Sequence, residues 1–184
     1  MKKLEAYFVK ELQRKQTESV KYTEQELAAV AKRENNKKRT WLVVNRLQGK
    51  HVPVSPGKAL RMFDSLADLL LEEYQGERLL LIGFAETATA VGAAVAEKLG
   101  ALYIQTTREQ IRDVEYFYFS EQHSHATEQK LVKDDLDRVM ERVDRIIFIE
   151  DEITTGNTIR NIIELLKKAY PGCAGFSAAS LLNG

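Results

Sequence analysis

Apolar positions along the chain fall into several kinds of spacing, and each implies a different element. Leu4, Tyr7, Phe8 and Leu12 recur at helical intervals. Thr23-Glu24-Gln25-Glu26 has the form of a capping box, so a helix is expected to run on through Leu27 to Lys32. Trp41, Leu42, Val43 and Val44 make a short apolar run that reads as a strand. Between residues 49 and 56, two prolines and a glycine exclude regular structure. Ser55-Pro56 then reads as an N-cap followed by proline at the first helical position. Leu60, Phe63, Leu66, Leu70, Leu71 and Tyr74 continue it as one apolar stripe, an amphipathic helix ending near Gly76.

From residue 79 the pattern changes to strand–helix alternation. Residues 79–82 are continuously apolar, as a strand covered on both faces should be. Residues 83–89 read as a loop, and a small-residue helix follows through Lys98, with Gly100 as its terminator. Residues 102–105 read as a strand, 116–119 as a strand or hairpin arm, and 133–143 as a helix. Residues 146–149 are the clearest central strand, 158–170 a helix stopped by Pro171-Gly172, and 174–182 a last strand. Repeated strand–helix units predict an α/β fold, an open parallel sheet flanked by helices. The expected organisation is an N-terminal helical extension, 1–34, followed by a domain, 35–184, that carries a small hood. A sequence that stops directly after a strand reads as one domain of a longer protein.

Composition narrows the class. A length of 184 residues fits one domain, and 44% hydrophobic with 29% charged residues excludes intrinsic disorder. No apolar run approaches the roughly 18 residues needed to cross a bilayer, and no apolar stretch follows the basic start as in a secretory signal. The single cysteine, Cys173, excludes an intrachain disulfide and a Cys-based zinc cluster. A reducing, cytoplasmic location is the expectation. The zero net charge hides an asymmetry: residues 1–50 carry 13 Lys and Arg against 6 Asp and Glu. Nucleic-acid binding needs a basic face with base-reading groups. A solvated helical extension is the plainer reading, so neither nucleic acid nor membrane is expected as a partner.

One segment, residues 145–159, combines features that make chemical sense together. An apolar strand ends at two adjacent acids, Glu150 and Asp151, then a Thr/Gly loop leads into a helix. In open α/β sheets, ligands bind outside the carboxyl ends of the strands. A helix N-terminus offers free N–H groups and a positive dipole end to a phosphate, hydroxyls of Thr154, Thr155 and Thr158 add donors, and Gly156 lets the backbone come close. The acids repel phosphate, but they suit ligand hydroxyls or a bound Mg2+. A ribose 5-phosphate satisfies both halves.

The segment from Ile146 to Thr158 strongly resembles the signature of the type I phosphoribosyltransferases. The resemblance implies a transfer of a phosphoribosyl group between 5-phosphoribosyl 1-diphosphate and a nitrogenous acceptor, with Mg2+ and, as an assembly, a homodimer. Carried over by position, Glu150 and Asp151 hold the ribose hydroxyls, with Mg2+ near them and bound mainly through the ligand. Thr154, Thr155, Gly156, Asn157 and Thr158 wrap the 5-phosphate. Glu152 departs from the family, which usually has an apolar residue or proline there. Thr154 stands where purine-salvage enzymes carry an aspartate, so the loop resembles orotate-type members more.

Three further segments follow from the same resemblance. The family places a diphosphate-binding loop after the strand at 79–82, which here reads Ala85-Glu86-Thr87 and lacks the usual cation. A plain strand–helix turn is the alternative there. Residues 121–128 hold His123 and His125 around Ser124. They read as a transition-metal pair, as a solvated loop, or as part of a lid over residues 106–128 whose histidines act on closure, with Arg108 and Arg112 at its base. Gly49-Lys50-His51-Val52-Pro53, with residues 121–128, resembles an orotate-type branch associated with bacterial tellurite-resistance and stress operons. In that branch Lys50 and His51 belong to the hood over the acceptor. A regulator that binds the donor without turnover remains a second reading, and a generic nucleotide-binding module a third, weakened by the lack of a Gly-x-Gly-x-x-Gly or phosphate-loop motif.

Overall fold

A computed structural model describes residues 20–34, 40–50, 52–119 and 129–183. Its centre is a four-stranded parallel sheet of β3 (Leu79–Gly83), β4 (Leu102–Gln105), β7 (Arg145–Ile153) and β8 (Gly175–Asn183), in the order β4-β3-β7-β8. Helix α2 (Pro56–Glu73) precedes β3, α3 (Thr89–Leu99) joins β3 to β4, and α5 (Asn157–Ala169) joins β7 to β8. The α/β reading of the sequence therefore holds.

The sheet is covered on both faces, and its strands show why they are apolar throughout. Leu79, Leu81, Ile147 and Ile149 pack with Met62, Phe63 and Leu70 of α2 and Val91 and Val95 of α3. The alternate residues Leu80, Ile82, Ile146 and Phe148 pack on the other face with Ile159, Ile162 and Leu166 of α5. Strand side chains alternate faces, so each strand feeds two cores at once. Burying one such Leu or Ile is worth about 1.5–3 kcal/mol.

Two antiparallel hairpins stand outside the sheet. The first pairs β1 (Ala28–Lys32) with β2 (Trp41–Asn45), and the loop after β2 carries the segment expected as the hood. The helix expected over residues 23–32 is corrected here: α1 covers Glu24–Leu27 only, and the chain turns to strand at Ala28. The capping box does form, with Glu26 bonded to Thr23 at 2.8 Å. Pairing with Leu42, Val43 and Val44 then overrides the helix preference of the alanines. The second hairpin pairs β5 (Tyr116–Phe119) with β6 (Gln129–Val132) and covers α5. The helix expected over 133–143 is shorter than that pattern suggested: α4 covers Lys133–Asp137, and a 3-10 turn covers Met140–Arg142.

The strand order fixes where a ligand site lies. From β3 the chain crosses to β4 on one side, while β7 lies on the other. The crevice between the carboxyl ends of β3 and β7 is a topological switch point, the preferred binding place in open α/β sheets.

Candidate functional site

Strand β7 runs past the expected end at residue 149 and includes both acids, with Glu150 opposite Ser180 and Glu152 opposite Leu182 of β8. Glu152 is thus an exposed strand residue. Asp151 is 8% exposed and holds two bonds. Lys50 Nζ donates to its Oδ2 at 2.6 Å, and Thr87 Oγ1 donates to its Oδ1 at 2.7 Å. Burial alone pushes the Asp151 carboxyl up, but hydrogen bonds from Lys50 and Thr87 and the charge of Lys50 together hold it below its ordinary value. Glu150 sits one residue away, on the opposite strand face. Burial first, then the charge of Asp151, pushes its carboxyl up to about 7, against a smaller downward pull from Lys50.

The loop after β3 is short and tightly held. Its Ala85–Glu86 peptide bond is cis. Phe84 N donates to Ile149 O at 3.0 Å, which ties the loop to β7. Gln48 Nε2, from the loop after β2, donates to Thr87 O at 3.2 Å. Gly83 is needed where β3 enters this loop, because a Cβ there would lie 2.5 Å from the Tyr103 hydroxyl. The Tyr103 hydroxyl itself donates to Thr89 O at 2.8 Å, closing the start of α3.

After Ile153 the chain passes through Thr154 and Thr155 to Gly156, which adopts a left-handed φ of 68° as the N-cap of α5. That conformation suits glycine, and it turns the first N–H groups of a 13-residue helix toward the strand ends. Asn157 N donates to Thr155 Oγ1 at 3.4 Å.

Lys50 and Gln48 reach the site from the loop after β2. Asn45, 3% exposed, shapes that loop by accepting from Leu47 N and Gln48 N at 2.8 and 3.0 Å. A groove of about 570 Å3 opens between the loop after β2 and α2, lined by Tyr22, Glu26, Arg46, Leu47, Lys58 and Arg61 among others.

The structure therefore brings Asp151, Thr87 and Lys50 into direct contact, with Glu150 and residues 154–158 adjoining along the chain. Arg108 and Arg112 are exposed, and their side chains make no hydrogen bond or ion pair among the described residues. His51, His123 and His125 lie outside the described residues. Of the segment read as a lid, residues 106–119 are anchored: Thr107 bridges to Lys130, and the Tyr116 hydroxyl bonds the backbone of Ile111. Sequence reasoning missed Gln48, Thr106 and Gln129. Thr106 follows the carboxyl end of β4, a position that marks it for attention; Gln48 and Gln129 carry no such signal.

For a divalent cation, the donor set is oxygen, as Mg2+ requires. The two acids leave opposite strand faces, and among the described residues no three His, Cys, Asp or Glu groups form a metal cluster.

Comparison with known proteins bears on this geometry. A search of the curated proteins found no match. Among solved structures, the chain resembles an adenine phosphoribosyltransferase of Giardia lamblia complexed with 9-deazaadenine, at 14% identity and a TM-score of 0.59, covering 87% of this chain and 95% of that one. It resembles the adenine phosphoribosyltransferase of Rhodothermus marinus at 15% identity and 0.56, covering 87% and 96%. At these identities the likeness is one of fold. The protein-family model described as phosphoribosyl transferase matches residues 27–184. The match takes in the first hairpin, the loop after β3 and the acids of β7 alike, and by it the chain belongs to the phosphoribosyl transferase family.

Proposed function

We propose that the enzyme moves a phosphoribosyl group between 5-phosphoribosyl 1-diphosphate and a nitrogenous base or related acceptor. The contact of Lys50, Thr87 and Asp151 carries this reading, because it joins three segments far apart in sequence at the switch point of the sheet. Asp151 and Glu150 accept from the ribose hydroxyls. Residues Thr154, Thr155, Gly156, Asn157 and Thr158 hold the 5-phosphate with backbone N–H and hydroxyl donors. Ala85, Glu86 and Thr87 border the diphosphate, and Lys50 supplies the cation that this loop lacks. The acceptor nitrogen attacks the anomeric carbon while the bond to the diphosphate oxygen breaks, and diphosphate leaves with the electron pair. Preorganised donors around that leaving group lower the barrier. Mg2+, when bound with the donor, supplies further neutralisation of diphosphate charge. His123, His125 and Arg108 are proposed to act on the same centre.

The acceptor is proposed to enter under the hood, beside Lys50 and His51. Arg46, Lys58 and Arg61, against the single acid Glu26 along the groove, favour an acceptor that carries negative charge. Thr154 and the 49–53 loop support a place in the orotate-type branch associated with tellurite-resistance and stress operons. A cytoplasmic homodimer fits that resemblance. The lack of a cation in Ala85-Glu86-Thr87 itself, with the basic N-terminal half, favours a second reading as a regulator that binds the donor without turnover.

Incubation of the protein with donor, Mg2+ and a panel of neutral and anionic bases tests the proposal, with diphosphate release and nucleotide mass as readouts. Base-dependent diphosphate release, lost in Asp151→Asn, is expected. Donor binding without release for any base would favour the regulator.

A further inference from the structure

The loop that borders the proposed diphosphate site is held by a closed ring of hydrogen bonds from outside it. Ala85 N donates to Thr106 Oγ1 at 2.8 Å. The Thr106 hydroxyl donates to Gln129 Oε1 at 2.9 Å. Gln129 Nε2 donates back to Ala85 O at 2.8 Å. Both backbone groups of Ala85 are thereby satisfied by side chains, at a residue that is 9% exposed. Thr106 is fully buried, and its own N–H is fixed by Gly83 O at 3.0 Å.

The ring has only one consistent sense. A hydroxyl has one proton to give, so accepting from Ala85 N leaves Thr106 to donate to an acceptor. Gln129 offers that acceptor with its carbonyl and a donor with its amide nitrogen. A flipped amide would set its carbonyl oxygen against Ala85 O, two acceptors facing each other. Gln129 is therefore matched to this place by donor and acceptor order, beyond size alone.

The ring also spans separate elements. Ala85 follows β3, Thr106 follows β4, and Gln129 opens β6 of the second hairpin. The bridge between Thr107 and Lys130, with bonds of 2.8 and 2.9 Å, fixes the register of β6 against the residue after Thr106. Glu86 and Thr87, next along the loop, are exposed. Their N–H groups have no acceptor among the described residues. Anchoring Ala85 on both sides sets the direction in which those two N–H groups point.

We infer that Gln129, acting through Thr106, is a positioning residue that presents the Glu86 and Thr87 amides to the diphosphate of the donor. This rests on the reading of the crevice as a donor site. Gln129 touches no reacting atom in this account. Its effect falls on one half of the ligand only: inorganic diphosphate feels it, and ribose 5-phosphate, held by residues 150–158, does not.

The test compares the full chain with Gln129→Glu, Gln129→Leu, Thr106→Val and Thr106→Ser. Gln129→Glu keeps the shape and the acceptor toward Thr106 but loses the donor toward Ala85. Thr106→Ser keeps the hydroxyl, and Thr106→Val removes it. Titration calorimetry with inorganic diphosphate plus Mg2+, and separately with ribose 5-phosphate, gives two affinities per variant. Both Gln129 variants and Thr106→Val should weaken diphosphate tenfold or more and change ribose 5-phosphate less than twofold, while Thr106→Ser stays near the parent. Equal loss of both ligands, or no loss of diphosphate, overturns the inference. Amide hydrogen exchange without ligand keeps the two readings separable. Exchange of the Phe84, Ala85 and Ala88 amides should quicken in Gln129→Leu while β3 stays protected, and unchanged exchange there overturns the ring's role by itself. A parent protein that binds neither ligand, yet shows the exchange difference, would reject the donor site and leave the anchoring of the loop established.

Discussion

Replacing Lys50 by methionine isolates the contact that closes the site. The chain length is kept and the charge is removed. At 2.6 Å, Coulomb's law with an effective dielectric constant near 20 gives a gross attraction of about 6 kcal/mol between Lys50 and Asp151. Desolvation of Asp151, whose side chain is 10% exposed, opposes it, and Lys50 at 33% is screened by solvent. A net loss of about 1–3 kcal/mol on substitution follows. The sign of the pH dependence follows from Asp151. Its folded value lies below the ordinary 3.8, so the pair's contribution is present above that value and is lost as pH falls through the folded value. In Lys50→Met, burial is opposed only by the hydrogen bonds from Thr87 and from the Asp151 backbone, and the carboxyl should rise. Urea unfolding of parent and variant, followed by fluorescence of Trp41 or by circular dichroism, should give the full difference at pH 7.5 and a smaller one in acid, at a pH below the folded value. A double-mutant cycle with Asp151→Asn should recover most of the difference as a coupling between the two residues. A difference that is the same at both pH values, or a coupling of zero, would refute the reasoning.

Glu150→Gln should flatten the stability profile between pH 5 and 8. The raised Glu150 carboxyl gives stability that is fully present below its ordinary 4.5 and is lost as pH rises through about 7. Unfolding at pH 8 should find the variant more stable by up to about 3 kcal/mol, and parallel profiles would argue against it. Asp151→Asn should weaken donor binding at least tenfold while melting shifts only a few degrees, which calorimetry can separate. Gly83→Ala should cost about 1–3 kcal/mol through overpacking against Tyr103. Combining it with Tyr103→Phe, which removes the nearest atom, should return part of that loss in urea titrations.

The parallel sheet was legible because its strands are apolar on both faces, and residues 79–82 and 146–149 have no other plausible place. The junction of strand, Thr/Gly loop and helix at residues 146–158 was legible because its residue types stand at a fixed spacing. The helix expected over residues 23–32 of the N-terminal extension is a strand from residue 28. Ala-Ala-Val-Ala has helical preference locally, and only its partner at 42–45 makes it a strand. Pairing across a hairpin is information that a local window does not contain. For the same reason Lys50 was placed in the hood by resemblance, but its bond to Asp151, a hundred residues on, was not foreseen. Gln129 was invisible for a different cause. Its role depends on the donor–acceptor order of a ring closed by two other segments, and a glutamine in an ordinary polar stretch advertises nothing.

The strand order has a consequence for how the protein assembles. β3, α3 and β4 form one right-sized local unit, and β7, α5 and β8 form another. Each needs only short loop closures, whereas joining them pairs Leu79 with Arg145 across the intervening hairpin. Closing that larger loop carries the greater entropy cost, so the seam between β3 and β7 should zip last during folding and open first under stress. The crevice proposed to bind the donor is that seam. Mild denaturant should therefore abolish ligand binding while both halves keep their helices, and a bound donor, by spanning the seam, should raise the barrier to unfolding more than it alters either half.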